Sequence, residues 1–169
     1  MFSYMSNVFT VRLEKSEGIR LMKRIVVVVG TLLLGVGAVM AQQDAVKHAQ
    51  TFMKGNGKNA GALAAMVKGE KPYEQATVDT ALAQFEDTAK NLPTLFPDSL
   101  KGAKWEGDYS PSPKIWEDKA GFSEHIASFG KTVADAKGKI TDLDSLKATL
   151  SVIGKQCGGC HETFRVKKS

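Results

Sequence analysis

The chain has 169 residues, 43% of them hydrophobic and 24% charged, proportions that exclude collagen-like and wholly disordered chains and fit one domain of ordinary size. Its net charge of +5 is unevenly spread: residues 1–41 hold five Lys/Arg and two acids, which leaves 18 basic against 16 acidic residues, a net of +2, in the rest. So balanced a domain gives no electrostatic case for a nucleic-acid partner, and two cysteines are too few for a disulfide scaffold.

Met22-Lys23-Arg24 forms a short basic segment. Ile25 to Val39 follows as an uncharged run rich in Val, Leu and Gly, and Val39-Met40-Ala41 sets small residues at the −3 and −1 positions. That order predicts a secretory signal peptide over 22–41, cleavage after Ala41, and a periplasmic mature protein. The apolar run is about 15 residues, short of the ~20 that a spanning helix needs, which argues against a permanent membrane anchor. Residues 1–21 read as a non-native N-terminal extension from an upstream start, an extended basic segment being the other reading. The mature domain is then 42–169.

Within that domain apolar residues recur in alternating steps of three and four, the seam of a packed helix. The first run is Val46, Ala49, Met53, polar Asn56, Ala60, Leu63 and Val67, stopped by Lys68-Gly69. The second is Val78, Leu82, Phe85, Ala89 and Leu92, stopped before Pro93. The third follows Ser112-Pro113, a capping residue and a first-turn proline, and reads Ile115, Phe122, Ile126, Phe129, Val133 and Ala136, with Gly138 to close it. The fourth starts near Asp142 or Asp144 and reads Leu143, Leu146, Leu150, Ile153, Cys157, Cys160 and Phe164. No stretch alternates with period two long enough to predict a strand. Only the connection from Pro93 to Pro111 is long, so sequential helices pack as antiparallel neighbours: an all-α, up-down-up-down four-helix bundle.

Cys157-Gly158-Gly159-Cys160-His161 is the C-x-x-C-H pattern for covalent attachment of a c-type heme. Thiols three apart on a helix can reach two vinyl groups on one porphyrin edge, and the next residue can place an imidazole on the iron. A C-x-x-C redox pair would want a βαβ setting, and structural zinc would want four ligands where only His48 and His125 remain as imidazoles outside the motif. Plain core packing is the third alternative. Motif and export context together favour one covalent heme c, with its iron.

The mature chain resembles the class II c-type cytochromes, the cytochrome c prime family. The likeness rests on Asp44-Ala45-Val46-Lys47, Ala64-Ala65-Met66-Val67-Lys68-Gly69-Glu70, Leu92-Pro93 with Leu95-Phe96-Pro97, Pro113-Lys114-Ile115-Trp116-Glu117, and Cys157 to His161 followed by Phe164-Arg165. It is most similar to the low-spin c-556 branch, which implies Met53 as sixth iron ligand. The resemblance also implies that Gln50 and Arg165 lie in the heme surroundings. Many high-spin members carry an Arg near a heme propionate where this chain has Ala49.

The position of Met53 can also be argued from the chain itself. Only Met53 and Met66 lie beyond the cleavage site. His161 lies near the end of the fourth helix, so its neighbours on an antiparallel first helix lie near that helix's start. Met53 is ~15 Å along and Met66 some ~20 Å further, which puts Met66 at the far end. Met53 as a gap-filling core residue is the competing reading. His48, roughly 140° around the helix from Met53, reads as a surface histidine, His125 as a partly exposed one, and Phe52 as packing.

These residues predict an electron carrier and no enzyme: His/Met ligation fills the sixth site and lets iron change charge with little rearrangement. Its partners would be redox proteins of the periplasm. The rival is a high-spin cytochrome c prime that binds NO or CO at an open distal site. Family members often dimerise through their first two helices, and a net charge of +2 with no obvious apolar outer stripe leaves a homodimer open.

Overall fold

Four long helices form where the three-and-four spacing predicts them. The computed structural model describes residues 41–168, so the expected extension over 1–21 and the signal peptide over 22–41 lie outside the described residues, Ala41 apart. Helix α1 occupies 41–67, α2 Gln75–Asn91, α3 Lys114–Glu117, α4 Lys119–Ala136 and α5 Leu143–Phe164. Two 3-10 turns, Leu92–Thr94 and Asp98–Leu100, follow α2, and strands β1 (Tyr109–Pro111) and β2 (Arg165–Lys167) form one antiparallel ladder. Asp44–Ser169 form one compact unit.

The helix ends are set by the residues that the sequence marks. Gly69, at φ 75°, lets the chain leave α1 with the amide of Glu70 on the carbonyl of Ala65 (2.9 Å) and that of Gly69 on Met66 (3.0 Å), a Schellman ending. Asp142 caps α5: its carboxylate accepts from the Ser145 amide at 2.8 Å, and the Ser145 hydroxyl accepts from the Asp142 amide at 3.1 Å. Gly138, at φ 74°, closes α4 in a type II turn in which the Lys139 amide donates to the Ala136 carbonyl at 3.1 Å.

The helix directions alternate, as the core shows. One buried cluster joins Leu63 and Met66 late in α1, Val78, Leu82 and Phe85 early in α2, Phe129 and Val133 late in α4, and Leu146 and Ile153 early in α5. The second joins Ala49 early in α1, Leu92 just past α2, Phe122 and Ile126 early in α4, and Phe164 at the end of α5. Late with early at one end and early with late at the other is an up-down-up-down bundle. The polar seam position Asn56 finds Thr88 of α2, whose side chain is 1% exposed and whose hydroxyl donates to the Asn56 amide oxygen at 2.8 Å. That bond pairs a buried polar atom across the two helices and sets their relative height.

Three expectations need correction. The third run is not one helix: the backbone breaks at Asp118 (φ −118°, ψ 67°), whose carboxylate turns back to accept from the Gly121 amide at 2.9 Å and caps α4. Ser112 does cap the turn before it, accepting from the Lys114 amide at 3.3 Å. Second, a strand pair exists, three residues a side, with Tyr109 opposite Lys167, Ser110 opposite Val166 and Pro111 opposite Arg165. Third, Leu143 leaves the seam. It stands in the first turn of α5 and is 40% exposed.

Two outcomes follow for stability. Leu146→Ala, at a side chain with 0% exposure, should cost about 3 kcal/mol in denaturant unfolding, whereas Leu143→Ala should cost under about 1 kcal/mol. Glu86 of α2 accepts from Lys90 at 2.9 Å and from Lys137 beyond α4, and these hydrogen bonds hold its carboxyl down at about 2. Because the folded value lies below the ordinary 4.5, this contribution is fully present above pH 4.5 and is lost as pH falls through about 2. Glu86→Gln should flatten the dependence of stability on pH across that window, read from unfolding curves in acid.

Candidate functional site

Cys157, Cys160 and His161 stand on the last turns of α5, inside the continuous helix rather than on a loop. The spacing of three and four puts both thiols and the imidazole on one side of it. All three are half-buried. Cys157 packs on the first core cluster and Cys160 on the second, so a single helical turn bridges the two halves of the core.

Burial pushes both thiols above the ordinary cysteine range, and for Cys160 the neighbouring Cys157 adds to it. Burial likewise pushes His161 below the ordinary histidine range, with the positive charge of Arg165 acting in the same direction. At neutral pH the three groups are therefore two thiols and a neutral imidazole, all uncharged before any metal binds.

These side chains face a cavity of about 540 Å³ to which all four long helices contribute. Its walls are mostly apolar: Ala49 and Ala60 from α1, Phe85 from α2, and Phe122, Ile126 and Phe129 from α4. Met53 enters from α1 on the same cluster as Cys160. Volume and lining suit a flat, apolar cofactor of porphyrin size, and the two thiols and the imidazole that reach it are the set that covalent attachment of heme c requires, with the Met53 thioether on the same cavity.

All six residues singled out in the sequence meet at this cavity: Gln50, Met53, Cys157, Cys160, His161 and Arg165. Gln50 and Arg165 engage its outer wall. The Gln50 amide donates to the Glu106 carbonyl at 2.9 Å, and the Arg165 guanidinium lies 4.2 Å over the Tyr109 ring. Met66 is 2% exposed in the far cluster, His48 is exposed and edge-on to Phe52 at 5.1 Å, and neither lines the cavity.

Sequence reasoning missed the outer wall. The segment 105–111, read only as a link, straps across the cavity: Trp105 lies against Phe96 with ring centroids 5.9 Å apart, and Tyr109 to Pro111 are tied to β2. The Lys168 side chain also bonds the Trp105 carbonyl. Three aromatics in a Pro/Gly/Ser-rich link, Phe96, Trp105 and Tyr109, were the one available signal. His125 is the partly exposed helix residue that the sequence predicts, and it also lines the cavity, edge-on to Phe164 at 5.5 Å.

The chain matches the sequence model of the family described as Cytochrome C' over residues 44–165. It is 57% identical over 148 residues to cytochrome c-556 of Rhodopseudomonas palustris, covering 87% of this chain and 99% of that one. To cytochrome c' of the same organism it is 41% identical over 147 residues, covering 86% and 98%. Among solved structures, the NMR-validated structural model for oxidized R. palustris cytochrome c556 aligns with a TM-score of 0.68 at 57% identity, over 75% of this chain and 99% of that chain. Proteins of this family carry covalently bound heme c with its iron. An alternating four-helix bundle, a C-x-x-C-H turn on its last helix, and a match over most of the chain together show that this protein belongs to the cytochrome c' family.

Proposed function

We propose that the protein is a periplasmic electron carrier rather than an enzyme, with one heme c attached through Cys157 and Cys160, His161 on the iron and Met53 at its sixth position. The supporting observation is the convergence on one apolar cavity of two thiols and an imidazole from the end of α5 with a thioether from the start of α1. When bound, the heme supplies a one-electron Fe(III)/Fe(II) couple.

The chain's own residues do the rest. Cys157 and Cys160 stand one turn apart, a spacing suited to two thioether links on one porphyrin edge. His161 is kept neutral by burial, so a ring nitrogen holds a lone pair for the metal. The Met53 thioether is a soft, uncharged donor, which favours the ferrous state relative to a second nitrogen ligand. Phe122, Ile126 and Phe129 keep water from that side, and a less polar setting again favours the less charged iron. Gln50 and Arg165 supply polar groups at the strap side of the cavity. The signal-like run ending at Ala41 supports export to the periplasm, where redox proteins would be its partners. Among the described residues no helix is long and apolar enough to cross a membrane.

Mass spectrometry of periplasmic material should find a chain beginning at Gln42 and heavier than its polypeptide by one heme that survives acid–acetone extraction. Loss of all heme on extraction would refute the covalent links, and a membrane-bound product retaining Met22 would refute the signal peptide. The native protein should be low-spin and slow to bind CO. Met53→Ala should give a high-spin spectrum, fast CO binding and a lower potential while the heme stays attached. An unchanged spectrum and unchanged CO kinetics would make Met53 a core residue only, and the gas-binding function of an open distal site would replace electron transfer.

A further inference from the structure

We infer that Asn56 is a positioning residue for the sixth iron ligand, its side-chain N–H donating to the sulfur of Met53. This rests on the electron-carrier reading and deepens it by naming what holds and tunes that ligand. Asn56 follows Met53 by three positions on α1, and both line the cavity. Residues three apart on a helix share a face, with Cβ atoms about 5–6 Å apart, and their Cα–Cβ bonds tilt toward the helix start. Asn56 therefore leans over the turn that carries Met53. Gln50, three positions before Met53, leans away from it and spends its N–H on the Glu106 carbonyl at 2.9 Å.

The Asn56 amide is held in one orientation. Its oxygen accepts from the buried Thr88 hydroxyl at 2.8 Å, and Thr88 is itself steadied by the Gln84 side-chain amide, which donates to it at 3.2 Å. With the oxygen turned to α2, both N–H donors lie on the other side of the carboxamide, and among the described residues no protein acceptor takes them. Asn59 differs: its amide donates to the Gly55 carbonyl of its own helix at 3.0 Å. A donor left bare in a mostly apolar chamber carries a desolvation cost once water is displaced, unless an acceptor meets it. Met53 offers one within a helical turn. A thioether sulfur has two lone pairs, so one can go to the metal while the other accepts from Asn56. A hydrogen bond to that sulfur draws electron density from it, weakens its donation to ferric iron and so favours the ferrous state. The chain Gln84–Thr88–Asn56 thereby ties the ligand's position and donor strength to α2.

The test compares the heme-loaded protein with Asn56→Leu and Thr88→Val, neither of which changes its charge. In the reduced native protein, NMR should show an Asn56 side-chain N–H that exchanges slowly with solvent and gives an Overhauser contact to the Met53 methyl. Asn56→Leu should stay low-spin, shift the sulfur-to-iron charge-transfer band of the ferric spectrum, and lower the ferrous-to-ferric ratio at fixed potential about fivefold, a fall of ~40 mV at about 59 mV per decade. Thr88→Val keeps the N–H and frees its anchor, so it should lower the potential by less than half as much and speed the exchange of that N–H. An unchanged potential in Asn56→Leu, an equal or larger fall in Thr88→Val, or no contact between the Asn56 N–H and the Met53 methyl would each overturn the assignment. Should Asn56→Leu fail to fold, the Overhauser contact in the native protein decides. Failure of the carrier reading appears separately, as a native spectrum that Met53→Ala leaves unchanged.

Discussion

The site depends on one turn of α5. Cys157 and Cys160 must lie on one side of a helix to act on one ligand edge, and the same turn must pack on both halves of the core. That double duty is met only if α5 runs unbroken through Gly158 and Gly159, each about 1 kcal/mol less favourable than alanine in a helix interior. The capping box at Asp142, the buried Leu146 and Ile153, and Phe164 beyond the motif anchor the helix on either side of those glycines. Alternation of helix direction then does the remaining work. With α1 antiparallel to α5, the start of one lies beside the end of the other, and Met53 comes to the cavity that Cys160 and His161 line.

The cavity is also a problem of polarity. The surface around it is mostly apolar, and several of its polar side chains are tied to partners. The Thr88 hydroxyl is held by Asn56 and by the Gln84 carbonyl at 2.9 Å, and the Gln156 side chain accepts from Ser128 at 3.0 Å. Gln50 is fixed on the Glu106 carbonyl. A low-polarity chamber with restrained polar groups suits a cofactor whose charge state must change while the walls stay still.

The helices and the C-x-x-C-H turn were legible in the sequence because both are local patterns. Spacing of three and four marks Val46, Ala49 and Leu63 or Val78, Leu82 and Phe85 without reference to the rest of the chain. The break at Asp118 was not legible, because Ile115 and Phe122 are seven apart and stay in phase across it; only the carboxylate turning back onto Gly121 reveals it. The ladder was hidden for a different reason. Three residues are too few to show alternation, and Tyr109 and Lys167 pair across a separation that no short window spans. Leu143 misled by fitting the seam while lying in a first turn that the bundle does not cover. Trp105 and His125 were visible as residues, but their place at the cavity follows from long-range packing.

The ladder gives the chamber a hinge of low cost. It is built from three residue pairs, β2 is exposed along its whole length, and among the described residues no core cluster draws on it. Segments of that kind open by local fluctuation far more often than a bundle unfolds, so its amides should exchange hydrogen early while those of Leu146 and Val133 wait for global unfolding. Each such opening parts the wall at Tyr109 and Arg165 and leaves both core clusters standing. The edge of the chamber therefore loosens at the cost of a few backbone bonds, independently of the stability of the four helices.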